Sequence, residues 1–193
     1  MTRVAITGIG MVTPLAANAN DTWNKLLAGE SGIKKITSFD TSDLSVKIAG
    51  QITRGTEKPS FNPDEFVEIK NQRKIDDFIL YAIAAAEEAF KDSGWEAKKE
   101  SDFTRAGVLV GSGIGGLQSI AKANDTLNEK GPKRMSPFFI PSCLINLASG
   151  QISIKYGLKG PNHSVVTACS TGAHAIGDAA RIIRAGEADM MMA

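Results

Sequence analysis

The sequence has 193 residues, 42% of them hydrophobic, with 22 basic and 21 acidic side chains and a formal net charge of +1. That length can bury a real core and fits one or two domains. The near-neutral charge excludes a global pull towards nucleic acid or a membrane surface, so an anionic partner must be met by a local patch.

Two cysteines, Cys143 and Cys169, lie far apart without metal-ligand spacing. They read as free thiols of a reducing compartment. No secretory signal opens the chain and no segment approaches a membrane span, so the expected location is cytoplasmic.

In chain order, Arg3 to Val12 predicts a buried strand running into a glycine-rich turn. Asn18, Asn20 and Asp21 are candidate caps for a helix whose apolar face is Trp23, Leu26 and Leu27, ended by Gly29. Residues 30 to 62 are polar and broken by Gly, Ser, Thr and Pro, and predict a surface loop with one short strand at Val46 to Gly50. Pro63 to Phe66 looks like a helix start capped by Asn62. In Ile69 to Asp76, Lys70, Arg73 and Lys74 fall at helical spacing on one face, which by itself describes a solvated helix surface.

Ile75 to Asp92 is the clearest helix, with the stripe Phe78, Ile79, Ala82, Ile83, Ala86 and Phe90 and a stop at Ser93-Gly94. Arg105 to Val110 is a buried strand. It leads into Gly111-Ser112-Gly113-Ile114-Gly115-Gly116, which matches the dinucleotide pattern G-x-G-x-x-G. That reading is set aside: the pattern lies mid-chain, and no second strand ending in an acid follows at the required distance. Met135 to Ser142 is apolar but pinned by Pro137 and Pro141, which excludes a regular helix or central strand. Leu144 to Tyr156 is a second helix, with Ile145, Ala148, Ile152 and Tyr156 inward.

The chain then reaches its most informative stretch. His163 to Val166 predicts a short buried strand that turns sharply into a helix from Gly172 to about Ala185. Cys169 sits at that turn among Ala168, Ser170, Thr171, Gly172 and Ala173. A thiol at a helix N-terminus lies at the positive end of the peptide dipoles, which favours the nucleophilic thiolate. The strand-elbow-helix setting is the one that exposes a nucleophile, whereas a cysteine in any other setting is more often a small buried apolar residue. Met190 to Ala193 reads as the start of another strand.

The run Gly160-Pro161-Asn162-His163-Ser164-Val165-Val166-Thr167-Ala168-Cys169-Ser170-Thr171-Gly172 resembles the cysteine motif of the β-ketoacyl-acyl-carrier-protein synthases of the thiolase superfamily. The resemblance covers the whole chain and is nearest to the type II elongation enzymes of bacterial fatty-acid synthesis. It implies an α/β fold: the N-terminal half of a thiolase-like fold, a mixed but mainly parallel sheet with helices on both faces. The chain is then a single N-terminal domain, residues 1–193, of a protein roughly twice as long, with the C-terminal half absent.

The resemblance implies Cys169 as the nucleophile and no metal or organic cofactor. It puts Ile114 beside the nucleophile, gating the acyl pocket, and has Phe139 reach the partner subunit's acyl pocket across a homodimer interface. Lys70, Arg73 and Lys74, with Lys133 and Arg134, become a basic patch that docks an acidic acyl carrier protein, loaded with acyl or malonyl groups. The implied reaction is acyl transfer to Cys169 followed by decarboxylative condensation with malonyl-carrier protein. The family's two catalytic histidines belong to the second half. His163 and His174 match neither, and His174, five residues after Cys169, would lie about 140° round a helix axis from it. Half of such a fold leaves a sheet face and the helix after Cys169 short of partners, and so exposes an apolar patch. Three alternatives stay open: a carrier-binding or dimerisation module without turnover, a thiolase or polyketide synthase relative, and a Cys/His hydrolase.

Overall fold

A computed structural model describes residues 3–193. Its elements are α1 (Ala19–Leu27), β1 (Ile33–Lys35), β2 (Ile48–Gly50), α2 (Ile69–Gln72), α3 (Asp77–Ser93), α4 (Glu100–Thr104), β3 (Ala106–Leu109), α5 (Leu117–Lys130), α6 (Phe139–Cys143), α7 (Asn146–Tyr156), β4 (Asn162–His163), α8 (Thr171–Arg184) and β5 (Met190–Met192). Single 3₁₀ turns fall at Pro63–Glu65, Pro132–Arg134 and Ala168–Ser170.

The central sheet has the order β4-β3-β5, both pairings parallel. β3 is buried at every position, as a strand covered on both faces must be. Helices α7 and α3 stack over it. Ile79, Ile83 and Ala86 of α3 meet Ala148 and Ile152 of α7 and Ala106 and Val108 of β3. Ile79 and Ile152 are fully buried, each contributing about 1.5–3 kcal/mol by leaving water. α8 lies against β3 and β5 through Ala175 and Ala179.

Local signals explain these elements. Asn18 caps α1 by accepting from the Asp21 N–H at 2.7 Å. Asp76 caps α3, and Gly94 ends it in the left-handed conformation at φ 61°.

Five expectations are corrected. Residues 4 to 12 form no strand. Gly8 and Gly10 press onto the backbone of α3, where a Cβ would meet Ala89 O at 2.1 Å and Ala85 O at 1.9 Å. The freed donors of Ile9 and Met11 go to Asp92 and Glu88 instead of a neighbouring strand. Residues 30 to 62 hold a strand pair rather than one strand, with β1 antiparallel to β2 and Ile33 opposite Gly50. The segment after Ser136 does form a helix, α6, because Pro141 stands in its first turn, where no helical N–H bond is needed. The strand before the cysteine is two residues long and exposed, not a buried run to Val166. The hydroxyls of Ser149 and Ser164 take the Val110 backbone groups that would have continued its ladder. Finally, Lys70, Arg73 and Lys74 do not share a continuous helix: α2 ends at Gln72, Arg73 caps it, and Lys74 lies beyond.

Apolar side chains remain at the surface. Trp23 and Leu27 of α1 are 60% and 69% exposed, Ile6 is 74% exposed, and Val166 and Ile176 around the elbow are each 51% exposed. Among the described residues, no helix is long and apolar enough to cross a membrane.

Candidate active site

The parallel strands β3 and β4 both end at fully buried Ser149 of α7. Its Oγ accepts from the Val110 N–H at 2.8 Å and lies 3.0 Å from Val110 O and 2.7 Å from His163 O. Beyond this point the strands diverge into two loops. One is the glycine loop 111–116 and the other is the cysteine elbow 164–170. A ligand crevice in a parallel sheet forms at the carboxyl ends of its strands.

The two loops pack backbone to backbone. A Cβ on Gly111 would lie 2.3 Å from Val165 O and 2.4 Å from Thr171 Cγ2, and one on Gly113 would lie 3.1 Å from Ala168 O. The glycine tract is therefore needed for close approach to the elbow, not for cradling a phosphate. Gly113 on Ala168 places the next residue, Ile114, at the elbow's margin, and Ile114 is 67% exposed.

At the elbow, Ala168 has φ 50°, the one positive value among the described non-glycine residues. An alanine in that region costs about 1–2 kcal/mol. The 3₁₀ turn Ala168–Ser170 then delivers Cys169 just ahead of α8. Cys169 is exposed, and Cys143 is buried in α6. The Cys169 N–H makes no hydrogen bond among the described residues. An open thiol beside a free backbone donor can attack a carbonyl and receive the oxyanion that results.

His174 is held at both ring nitrogens, Nδ1 3.3 Å from Thr167 Oγ1 and Nε2 3.2 Å from Asp178. His163 is exposed in β4, an edge strand of the sheet.

The basic residues divide into two sets. Arg73, Lys122 and Arg134 line a cleft of about 330 Å³ with Ile75, Phe138 and Phe139. None of the three cations forms an ion pair among the described residues. Lys122, on α5, carries no signal of membership in the sequence, because only the fold brings α5 beside α6. Lys70 is engaged by Glu68 at 2.8 Å; that hydrogen bond raises the ammonium pKa and lowers that of the carboxylate. Lys74 donates to Asn71 Oδ1 at 2.9 Å and sits 5.3 Å from the Phe138 ring centre. Lys133 is exposed in the turn before α6. Phe139 faces this basic cleft, whose lining includes no residue of the cysteine elbow.

The sequence profile described as "Beta-ketoacyl synthase, N-terminal domain" matches residues 1–193. The chain belongs to the β-ketoacyl synthase family. It is 55% identical over 194 residues to a 3-oxoacyl-[acyl-carrier-protein] synthase 2 of Rhizobium meliloti (strain 1021), covering 100% of this chain and 46% of that protein. It is 49% identical to the Coxiella burnetii (strain RSA 493 / Nine Mile phase I) protein of the same name, covering 99% of this chain and 44% of that one. The chain thus spans about half the length of the curated relatives it matches. Among solved structures, it resembles a type II polyketide ketosynthase in complex with its acyl-carrier protein, at TM-score 0.73 and 28% identity over 95% of this chain and 47% of that one. A β-ketoacyl synthase from Burkholderia phymatum STM815 shares the fold at TM-score 0.75 and 24% identity, over 97% of this chain and 45% of that one. The sheet and its flanking helices are therefore those of a thiolase-like ketosynthase.

Proposed function

We propose that this β-ketoacyl synthase chain is the N-terminal half of a 3-oxoacyl-[acyl-carrier-protein] synthase of fatty-acid elongation, working in the cytoplasm as a homodimer. The observation that carries the reading is the exposed Cys169 on a left-handed elbow at the start of α8. Its thiolate attacks the thioester carbonyl of an acyl-carrier protein. A bond forms from Sγ to the acyl carbon, the carrier's C–S bond breaks, and the carrier thiol leaves. Malonyl-carrier protein then loses CO₂, and the resulting carbanion attacks the Cys169 thioester. The product is a 3-oxoacyl chain two carbons longer, and the Cys169 thiol is released.

Within this chain the backbone N–H of Cys169 serves as an oxyanion donor, and Ile114 stands at the mouth of the acyl pocket. Phe139 contributes to the pocket of the partner subunit. Arg73, Lys122 and Arg134 steer the acidic carrier, assisted by Lys70, Lys74 and Lys133. The decarboxylating histidines belong to the other half of the protein, since His174 is occupied by Thr167 and Asp178 and His163 lies in the edge strand β4, before the elbow.

A second reading has a specific observation behind it. Arg73, Lys122 and Arg134 all line one cleft of this chain, so the chain alone can dock a carrier without condensing anything. Release of CO₂ from malonyl-carrier protein, dependent on acyl-carrier protein, separates the two. Release that is lost in Cys169→Ala supports condensation. Carrier binding without release supports the docking module.

A further inference from the structure

The elbow carries a device that the proposed reaction does not name. Thr171 is the first residue of α8, and it is 4% exposed although it sits beside the open Cys169. Its Oγ1 accepts from the Thr167 N–H at 2.9 Å and donates to the Ala168 carbonyl at 2.7 Å. Both capacities of the hydroxyl are spent on the two residues that precede the cysteine. Its methyl group faces the glycine loop, where a Cβ on Gly111 would approach within 2.4 Å.

The geometry points to Thr171 as a positioning residue for the nucleophile: its hydroxyl bridges the Thr167 N–H and the Ala168 carbonyl, on either side of the turn, and so holds Ala168 in the left-handed conformation that presents Cys169. The clamp is local. Ser170 adds two bonds to Thr167 O, from its hydroxyl at 2.7 Å and its backbone N–H at 3.1 Å, on the exposed side. The strain at Ala168 is of the kind that persists only where its surroundings over-determine it. Without the Thr171 hydroxyl, the Thr167 N–H loses its partner and the Ala168 carbonyl keeps only the Thr171 N–H, and Ala168 can relax to negative φ. Cys169 then leaves its place ahead of α8, and its free N–H no longer points where an oxyanion forms. The inference rests on the reading of Cys169 as a nucleophile, and its test does not require the carrier reaction.

The experiment compares wild type with Thr171→Val, which keeps the shape, and Thr171→Ser, which keeps the hydroxyl. Two rates are read by intact mass: alkylation of Cys169 by iodoacetamide, and acylation from acyl-carrier protein. Melting temperature is followed in parallel. Thr171→Val is expected to slow both rates on the order of 10-fold, as a small misplacement of a reacting group does. Thr171→Ser is expected to recover to within about twofold of wild type, because orientation depends on the hydroxyl and not on the methyl. The double variant Ala168→Gly/Thr171→Val is expected to react faster than Thr171→Val alone, since glycine adopts positive φ freely. If Thr171→Val does not fold, Thr171→Ala, which also removes the hydroxyl, takes its place with the same expected slowing, and a wild-type alkylation rate in it overturns the clamp. Alkylation at the wild-type rate in Thr171→Val, or equal loss in Thr171→Ser and Thr171→Val, overturns the clamp. Absence of acylation in wild type with the alkylation differences intact overturns the acyl-transfer reading and leaves the clamp standing.

Discussion

Gly111 and Val165 are packed so closely that a Cβ on the glycine would stand 2.3 Å from the valine carbonyl oxygen. This contact joins the two loops of the site, so the space that a methyl group would need is already filled by backbone. Gly111→Ala is expected to destabilise the chain by about 1–3 kcal/mol, with Cys169 alkylation altered as the elbow shifts. Gly177→Ala is the control. Gly177 lies within α8, where an added Cβ would meet nothing inside 4 Å, and replacing it gains up to about 1 kcal/mol of helix propensity. Urea denaturation of both variants checks the pair.

Ser149 makes a prediction about the sheet. Its hydroxyl is the partner of the Val110 N–H and lies within bonding distance of two carbonyls at the strand ends. Ser149→Ala leaves a buried N–H unpaired and is expected to cost about 1–3 kcal/mol. Hydrogen exchange should then quicken first at Val110. Unchanged exchange there would assign Ser149 no role in closing the ladder.

The cationic cleft predicts the salt dependence of carrier binding. Arg73→Ala, Lys122→Ala and Arg134→Ala should each weaken carrier binding about 3- to 10-fold at low salt, mainly through the association rate. The differences should shrink above about 0.5 M salt as charges are screened. Lys70→Ala should matter less, because that ammonium is already paired with Glu68. Surface plasmon resonance across a salt series reads all four.

Tyr156 predicts a loss of stability at alkaline pH. Burial, and secondarily the Glu87 charge, push its hydroxyl up to about 12, and its Oη has no hydrogen-bond partner among the described residues. The folded state therefore keeps its proton after the unfolded chain, at about 10, has lost it. Stability from this group is fully present below pH about 10 and is lost as pH rises towards about 12. Tyr156→Phe should flatten that decline and be neutral or stabilising at pH 7. Denaturant midpoints between pH 8 and 11 check the sign.

The parts legible in sequence are those written by local periodicity and punctuation. The stripe of α3 and its Gly94 stop, the apolar run of β3, and the small residues around Cys169 each carry their own signal. What stays hidden depends on long-range contact. Nothing local shows that Gly8 and Gly10 are pressed onto α3 rather than paired in a sheet, or that Pro141 stands in the first turn of a helix. Lys122 joins Arg73 and Arg134 only because α5 packs against α6. Thr171 reads in sequence as one more small residue at a turn, and its two hydrogen bonds become visible only with the backbone in place.

Everything proposed for the elbow depends on Cys169 being an acyl-accepting nucleophile. The intact mass of this chain after incubation with acyl-carrier protein, beside Cys169→Ala, decides the point. A mass gain equal to the acyl group, absent in the alanine variant, is the expected result. No gain in a folded sample, or the same gain in Cys169→Ala, would contradict it.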